Sequence, residues 1–201
     1  FSSRFKITII YTHCFHGYPN TILEPKSKKI ISCVEKARSE GVLFDVGHGM
    51  GSFSWPVAEA CARQGIWPDT ISTDIHSLNI DGPVYDLPTV MTRLLHIGMP
   101  LVEVVRASTI APAKAIGWDH QIGTLEVGRE ADITVLHIED SNLDLEDCHA
   151  QLRSLRTRLI PKAVWRAGKP GVITKPDRIP NPDTYQPAID WREKLVIRDD
   201  P

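Results

Sequence analysis

The sequence predicts an α/β fold in two parts, and two observations support this. Over residues 1–117, short apolar runs that suit strands alternate with helix-like segments, the pattern of β/α units around a parallel sheet. After Gly117 the pattern changes to short strand-like runs separated by turns, which indicates a small, mostly β region over residues 118–201. A chain of 201 residues with 42% hydrophobic and 24% charged residues can bury a core.

The first part contains three β/α units. Their strands are predicted at residues 6–12, 42–46 and 70–73. Their helices are predicted at residues 30–40, 55–64 and 88–95, and a further helix at residues 101–108. Gly41 and Gly65 mark two of the helix ends, and Pro56 is tolerated in the first turn of a helix.

The second part has weaker signals. Strand-like runs are predicted at residues 133–137 and 163–166, with turns at residues 126–129 and 167–170. The proline-rich stretch 175–187 is predicted to lie on the surface without regular structure. We therefore expect this part to be small and mostly β.

Composition excludes several classes of partner. A formal net charge of -2, with scattered Lys and Arg, gives no basic surface for a phosphate backbone, so we expect no nucleic acid. No apolar run reaches the length of a spanning helix, so we expect no membrane insertion. Four cysteines stand singly, which predicts a reduced, cytoplasmic compartment. The chain has no initiator Met and opens directly into a strand-like segment at residues 5–11, which predicts a fragment.

Each β/α unit has a reactive side chain just after its apolar run. These side chains are His13, His48 and Asp74. Because parallel β/α folds build their active sites at the carboxyl ends of the strands, we expect the three side chains to converge on one mouth.

Each residue also has a plain structural interpretation. His13 is either a metal ligand through one ring nitrogen or a hydrogen-bonded structural histidine. His48, with Gly49 beside it, is either exposed to a ligand by the glycines around it or part of a tight turn. Asp74 is either a metal ligand and proton acceptor or a helix or turn cap.

Three other chemistries fit less well. Ser52 lies in Gly-Met-Gly-Ser-Phe, which fails the G-x-S-x-G pattern of a serine nucleophile at its last position. Cys14 stands next to His13, but neighbouring strand residues point to opposite faces, which disfavours a nucleophile and base pair. A metal-free barrel that binds phosphate through residues 47–52 would leave Asp74 unexplained.

Five motifs occur in an order that resembles the amidohydrolase superfamily. Three follow the predicted strands: Thr-His-Cys-Phe at residues 12–15, Asp-Val-Gly-His-Gly at 45–49 and Ser-Thr-Asp-Ile at 72–75. The other two are Ala-Pro-Ala-Lys-Ala-Ile-Gly at residues 111–117 and G-x-L-x-x-G-x-x-A-D-I at residues 123–133. Within the superfamily, the chain is most similar to the dihydroorotase-like branch, which is associated with deacetylase or esterase activity.

This resemblance implies a fold and a reaction. Residues 1–117 would form the C-terminal part of a (β/α)8 TIM-type barrel, about strands six to eight, and residues 118–201 a β-sandwich portion. The protein would be a metal-dependent hydrolase that acts on an amide or ester bond of a small molecule. It could also form a homo-oligomer. Its cofactor would be a divalent metal, zinc, as one or two ions.

The resemblance also implies residue roles. His13 would be the sixth-strand metal ligand, and Asp74 the eighth-strand carboxylate that touches metal and moves the proton. His48, with Gly49, would contact substrate. The chain has no H-x-H, bridging Lys or fifth-strand His before these motifs, so we expect a truncated chain that binds metal weakly. The alternative is a catalytically inactive fragment or a binding domain of the same fold.

Overall fold

A computed structural model describes residues 8–173 as a mixed α/β structure, as predicted. The helices are α1 (Ser32–Ser39), α2 (Trp55–Arg63), α3 (Leu87–His96), α4 (Leu101–Ser108) and α5 (Ile110–Ala115). The strands are β1 (Ile10–Tyr11), β2 (Leu43–Phe44), β3 (Ile133–Glu146), β4 (Leu152–Arg166) and β5 (Lys169–Pro170). The proline-rich stretch 175–187 lies outside the described residues.

The helices follow the sequence prediction closely. Helix α4 has the predicted bounds, and α2 ends one residue before the predicted end. At the start of α3, the side chain of Asp86 accepts a hydrogen bond from the Thr89 amide at 2.7 Å and so caps an otherwise unpaired N–H. Proline in the first turn of α2 and α3 fits, because that turn does not use the missing N–H.

The first part contains three parallel segments, but the regular strands within them are shorter than the predicted strands. Strands β1 and β2 pair in parallel through Ile10 with Leu43 and Tyr11 with Phe44. Residues 70–73 run parallel to the β2 segment, with a bridge between Thr70 and Asp45, but do not form a regular strand. On their other side, the Ile71 amide donates to the Ala107 carbonyl at 2.8 Å. At the other end, left-handed backbone at His13, Gly47 and Asp74 stops the extended conformation.

The second part is a long antiparallel hairpin rather than a set of short runs. Strands β3 and β4 have 14 and 15 residues, and they pair from Ile133 with Trp165 to Glu146 with Leu152. Two register shifts interrupt the pairing, and β5 adds a short third strand on β4. The polar residues in the middle of β3 face solvent, so they look like a loop in sequence although they belong to a strand.

The inner end of the hairpin shares a core with the first part. Leu145 and Leu155 are fully buried together with Phe53, Trp55 and Leu94. On α3, the Thr92 hydroxyl accepts a hydrogen bond from the Leu159 amide at 3.0 Å. The division at residue 117 stays a prediction, because the core continues across it.

A buried arginine fixes this junction. Arg93 is fully buried and donates to the carbonyls of Glu146 and Pro83, both at 2.6 Å. Its guanidinium also lies over the Trp55 ring, 5.3 Å from the centroid. Burial lowers the pKa of Arg93, while the nearby Glu146 carboxylate opposes this shift.

Two acidic side chains complete this group. The Tyr85 hydroxyl donates to Glu146 Oε1 at 2.9 Å, and the Trp55 amide donates to Asp147 Oδ2 at 3.0 Å. Both carboxylates are almost fully buried. We call the side chains of Tyr85, Arg93, Glu146 and Asp147 the Arg93 cluster.

No helix within residues 8–173 is long and apolar enough to cross a membrane.

Candidate active site

The ends of the three parallel segments lie side by side, as the sequence predicts. The Cys14 amide donates to the Asp45 carbonyl at 3.1 Å, which joins the first end to the second. The Gly49 amide donates to the Thr73 carbonyl at 2.9 Å, which joins the second end to the third. These bonds bring the loops of His13, His48 and Asp74 to one edge.

His13 and Asp74 face each other at this edge. His13 Nε2 lies 3.9 Å from Asp74 Oδ2, and the two side chains are 39% and 53% exposed. Both residues have left-handed backbone, with φ of 61° and 49°. Such angles are uncommon for residues other than glycine and cluster at functional sites. The structure therefore brings together the two predicted metal ligands, and solvent reaches both.

The ring orientation of His13 is fixed from behind. His13 Nδ1 lies 2.6 Å from the Gly47 carbonyl oxygen. A carbonyl oxygen only accepts, so Nδ1 donates this hydrogen bond, and the matching neutral tautomer has its lone pair on Nε2. Metal-binding histidines have this arrangement, with one nitrogen bonded to a carbonyl and the other directed to the ion.

The glycines on either side of His48 leave space for the two facing side chains. A Cβ on Gly47 would lie 2.8 Å from His13 Nδ1, and a Cβ on Gly49 would lie 2.7 Å from Asp74 Oδ2. Both glycines also have left-handed backbone, with φ of 46° and 52°. Gly49 therefore borders Asp74 directly, and substrate contact by Gly49 stays a prediction.

His48 itself lies away from solvent. Its side chain is fully buried and stacks on the Phe53 ring, with centroids 4.8 Å apart and planes 9° apart. The expectation that the surrounding glycines expose this imidazole is wrong, because the loop turns the ring inward against Phe53. The structure thus places His48 beneath the edge that exposes His13 and Asp74, with its ring turned into the core.

The protonation of His48 follows from this environment. Nδ1 lies 2.9 Å from the Gly49 carbonyl and so donates to it, which leaves Nε2 as an acceptor. Nε2 has no hydrogen-bond partner among residues 8–173. Burial, and then the positive charge of Arg93, hold the pKa of His48 well below its usual value. The ring is therefore neutral at pH 7, and substrate contact by His48 stays a prediction.

Other histidines flank His13. His16 is 8% exposed, and its Nδ1 accepts a hydrogen bond from the Tyr18 amide at 3.3 Å. Burial, and then the neighbouring imidazoles of His13 and His149, lower the pKa of His16. His16 thus contributes a neutral imidazole beside the exposed pair.

The cysteine beside His13 does not suit nucleophilic chemistry. Cys14 is 1% exposed, and burial raises its pKa well above the ordinary thiol value. A buried, protonated thiol is a poor nucleophile, because the thiolate is the reactive form.

A buried carboxylate, which the sequence did not single out, joins the three segments. Asp45 Oδ2 accepts from the hydroxyls of Thr12 at 2.7 Å and Ser72 at 2.6 Å. Asp45 Oδ1 accepts from the Thr70 hydroxyl at 2.7 Å. We call these four side chains the Asp45 cluster. The signal available in the sequence was a hydroxyl residue shortly before His13, at Thr12, and shortly before Asp74, at Ser72.

The exposed pair fits part of a metal site. Two ligand atoms at about 2.1 Å from a tetrahedral zinc ion lie about 3.4 Å apart. His13 Nε2 and Asp74 Oδ2 are 3.9 Å apart, so they would approach each other by about 0.5 Å to share one ion. Within residues 8–173, no group of three or more His, Cys, Asp or Glu side chains could hold a metal ion. His13 and Asp74 could therefore provide two ligands of a metal site, which would need at least one more.

Comparisons with known proteins relate the chain to amidohydrolases and deacetylases. The amidohydrolase family profile matches residues 6–171. A deacetylase of Enterococcus faecalis is 39% identical over 153 residues, which cover 76% of this chain and 41% of that protein. A deacetylase of Agrobacterium fabrum is 38% identical over 154 residues, which cover 76% of this chain and 37% of that protein. The chain spans less than half the length of these curated relatives.

Solved structures give the same picture. The crystal structure of an adenine deaminase aligns with a TM-score of 0.79 and 37% identity, covering 82% of this chain and 45% of that one. The crystal structure of a dihydroorotase aligns with a TM-score of 0.72 and 35% identity, covering 80% of this chain and 43% of that one.

Proposed function

Because the chain belongs to the amidohydrolase family, whose members are hydrolytic enzymes, we propose that it is part of a metal-dependent hydrolase acting on an amide or ester bond of a small molecule. The observation that carries this proposal is the pairing of His13 and Asp74. His13 Nδ1 donates a hydrogen bond to the Gly47 carbonyl, so the matching neutral tautomer directs the Nε2 lone pair to an ion, and Nε2 lies 3.9 Å from the exposed Asp74 carboxylate.

We place residues 1–117 at about strands six to eight of a (β/α)8 barrel and the β3–β4 hairpin in a β-sandwich portion. The parallel order of the three segments supports the first placement. The alignment with the adenine deaminase, which extends over 82% of the chain, supports both. In such a barrel, the edge with His13 and Asp74 is the catalytic edge.

His13 Nε2 and Asp74 would hold the divalent ion, which we propose to be zinc. When bound, the ion supplies Lewis-acid activation of water and of the scissile carbonyl. The exposed Asp74 carboxylate has an oxygen left to take the proton that water loses and to pass it to the leaving group. Gly49 serves this step by leaving space beside Asp74 Oδ2.

The other ligands would come from outside the described residues. A catalytic zinc site uses about three protein ligands and keeps one position open. Residues 8–173 provide two at this edge, and the related deacetylases are more than twice as long as the matched region. Metal binding by the 201 residues alone should therefore be weak.

The names of the relatives indicate the substrate class. Two are deacetylases, and the solved structures are of a dihydroorotase and an adenine deaminase. Removal of an acetyl group is hydrolysis of an amide or ester, which agrees with the family reaction. We propose an acylated small molecule as substrate and a cytoplasmic enzyme that can assemble as a homo-oligomer.

One observation favours a second candidate, in which these 201 residues alone are catalytically inactive or only bind a partner. The described residues hold two metal ligands rather than three. Purified 201-residue protein that binds zinc tightly in a stoichiometric ratio and hydrolyses acetyl esters would exclude this candidate.

The proposal is tested in the complete protein with Asp74→Asn, which preserves size and removes the proton acceptor. Loss of general base catalysis should lower kcat for hydrolysis of an acetylated small molecule by at least about 100-fold. Asp140→Asn, on the exposed surface of β3, is the matched control and should keep full turnover. Normal turnover of Asp74→Asn would refute the assignment.

A further inference from the structure

The Asp45 carboxylate lies between the two segments that present the metal ligands. It is 7% exposed and belongs to the middle one of the three parallel segments. Thr12, which directly precedes His13, donates to one of its oxygens, and Ser72, two residues before Asp74, donates to the same oxygen. A single atom, Asp45 Oδ2, therefore connects the chain on both sides of the exposed pair.

We infer that Asp45 is a positioning residue that fixes the separation of the metal ligands His13 and Asp74. This inference rests on the proposed function, because it assumes that these two residues hold the ion. Asp45 itself does not touch the ion or the substrate in this assignment. It acts through Thr12 and Ser72, whose hydroxyls it holds at 2.7 and 2.6 Å.

The strength of these bonds supports a positioning role. Hydrogen bonds to an ionised carboxylate are shorter and about twice as strong as those between neutral groups. The Thr70 hydroxyl binds the other oxygen at 2.7 Å, so both carboxylate oxygens are engaged and the side chain cannot rotate freely. The Asp45 backbone is held too, because its amide donates to the Tyr11 carbonyl at 2.9 Å.

The backbone of the ligands explains why such support is needed. His13 and Asp74 both have left-handed φ, a conformation that is unfavourable for residues other than glycine. Without constraint on the preceding residues, each end could relax to an extended conformation and move its ligand atom away. Thr12 and Ser72 are the constrained residues, so the carboxylate between them resists that relaxation.

The inference is tested by metal affinity in the complete protein. Asp45→Asn keeps the size of the side chain but replaces one carboxylate oxygen with an NH₂ group, which cannot accept a hydrogen bond. If the NH₂ group takes the place of Oδ2, the Thr12 and Ser72 hydroxyls lose their acceptor, and if it takes the place of Oδ1, the Thr70 hydroxyl does. We expect the Kd for Zn²⁺, measured by chelator competition, to rise roughly 10- to 100-fold, as for other residues that orient metal ligands. The visible absorption of the Co²⁺-loaded protein should change as well.

Asp69→Asn is the matched control. Asp69 lies at the opposite end of the third segment, where its carboxylate accepts from the Phe44 amide at 2.8 Å and pairs with Arg38. Its loss should lower thermal stability and leave the zinc Kd and the Co²⁺ spectrum unchanged. A decrease in affinity in both variants would show that any carboxylate joining these segments matters, which would overturn the inference.

Milder variants keep the test valid if Asp45→Asn does not fold. Thr12→Val and Ser72→Ala each remove one donor from a ligand-bearing segment and should raise the zinc Kd several-fold. Conservative replacement by Thr12→Ser and Ser72→Thr keeps the hydroxyls and should restore the wild-type value. Unchanged Kd and Co²⁺ spectrum in Thr12→Val and Ser72→Ala would refute the inference.

Failure of the proposed function has a different signature. If the complete wild-type protein binds no Zn²⁺, both the metal assignment and the positioning role are wrong. If it binds Zn²⁺ and the Asp45 cluster variants bind equally well, only the positioning role is wrong.

Discussion

The Asp45 cluster and the Arg93 cluster are two buried polar groups with different structural roles. The Asp45 cluster joins three neighbouring parallel segments through hydroxyl groups, directly beneath the solvent-exposed pair of His13 and Asp74. The Arg93 cluster joins α3 to the distant end of β3 and lies wholly inside the core. Burial of polar groups therefore underlies the proposed metal site in one place and holds the two parts of the chain together in the other.

The largest expected effect tests the second half of this comparison. Arg93→Met removes the buried cation and leaves the Glu146 carboxylate and two carbonyls without it. Removing one member of a buried charged group should lower the free energy of unfolding by about 3–5 kcal/mol, as measured by urea denaturation.

Arg106→Met is the control for Arg93→Met. Arg106 pairs with Glu103 on the surface of α4, and loss of such an exposed pair costs about 1 kcal/mol or less. Equal destabilisation by the two variants would remove the distinction between a buried structural cluster and a surface pair.

Gly49→Ala tests the first half of the comparison. The new Cβ would meet Asp74 Oδ2 at 2.7 Å in a left-handed residue, so we expect about 1–2 kcal/mol of destabilisation from the backbone and, in addition, displacement of Asp74. Turnover and zinc affinity of the complete protein should both decrease.

Gly65→Ala is the matched control for Gly49→Ala. Gly65 also has left-handed backbone, with φ of 71°, but a Cβ at this position would meet nothing within 4 Å. It should show the backbone cost in denaturation and keep normal turnover. If both variants lose turnover equally, proximity to Asp74 is not the cause.

His48 lies between the two clusters, because its amide donates to the Ser72 carbonyl at 3.3 Å and its pKa responds to the charge of Arg93. It should make the stability of the protein depend on pH. Burial and then Arg93 keep the folded pKa of His48 well below the ordinary value of 6.5. As the pH falls below 6.5, His48 becomes protonated in the unfolded chain but stays neutral in the folded protein. The free energy of unfolding therefore decreases by about 1.4 kcal/mol per pH unit for this group. The decrease should appear in urea denaturation between about pH 7 and pH 5.

His48→Gln isolates this contribution. His16 and His96 shift in the same direction through burial, so they keep part of the slope in the variant. The variant should have a shallower dependence on pH than the wild type, whatever its stability at pH 7. An unchanged slope would contradict a neutral, buried His48.

The smallest expected effect concerns the contact between the two parts. Cys148, in the turn after β3, accepts a hydrogen bond from the Phe53 amide at 3.4 Å and donates its own amide to the Phe53 carbonyl at 3.0 Å. Cys148→Ala should cost about 1 kcal/mol and speed hydrogen exchange at the Phe53 amide. Cys61→Ala, equally buried in α2, should leave that exchange rate unchanged.

The sequence predicted what depends on local pattern. Helix α4 has its predicted bounds, because apolar spacing and the break at Gly98 and Pro100 specify them locally. The lateral alignment of His13 with Asp74 was also predictable, because the carboxyl ends of parallel strands share one edge.

The sequence could not predict what depends on tertiary contacts. The burial of His48 follows from its stacking on Phe53, and glycine neighbours suggest exposure instead. The length of β3 follows from its pairing with β4, since its polar middle resembles a loop. Asp45 looked like part of a strand, because its partners Thr12 and Ser72 lie 33 and 27 residues away.

The left-handed backbone of His13 and Asp74 has a consequence for selection. Glycine would relieve the conformational cost at either position, with φ of 61° and 49°, and would remove a ligand at the same time. A laboratory screen for thermal stability alone should therefore enrich glycine or asparagine at these two positions. We expect His and Asp to be retained there only in a screen that selects catalysis as well, so substitutions at these two positions would separate the requirements of stability from those of activity.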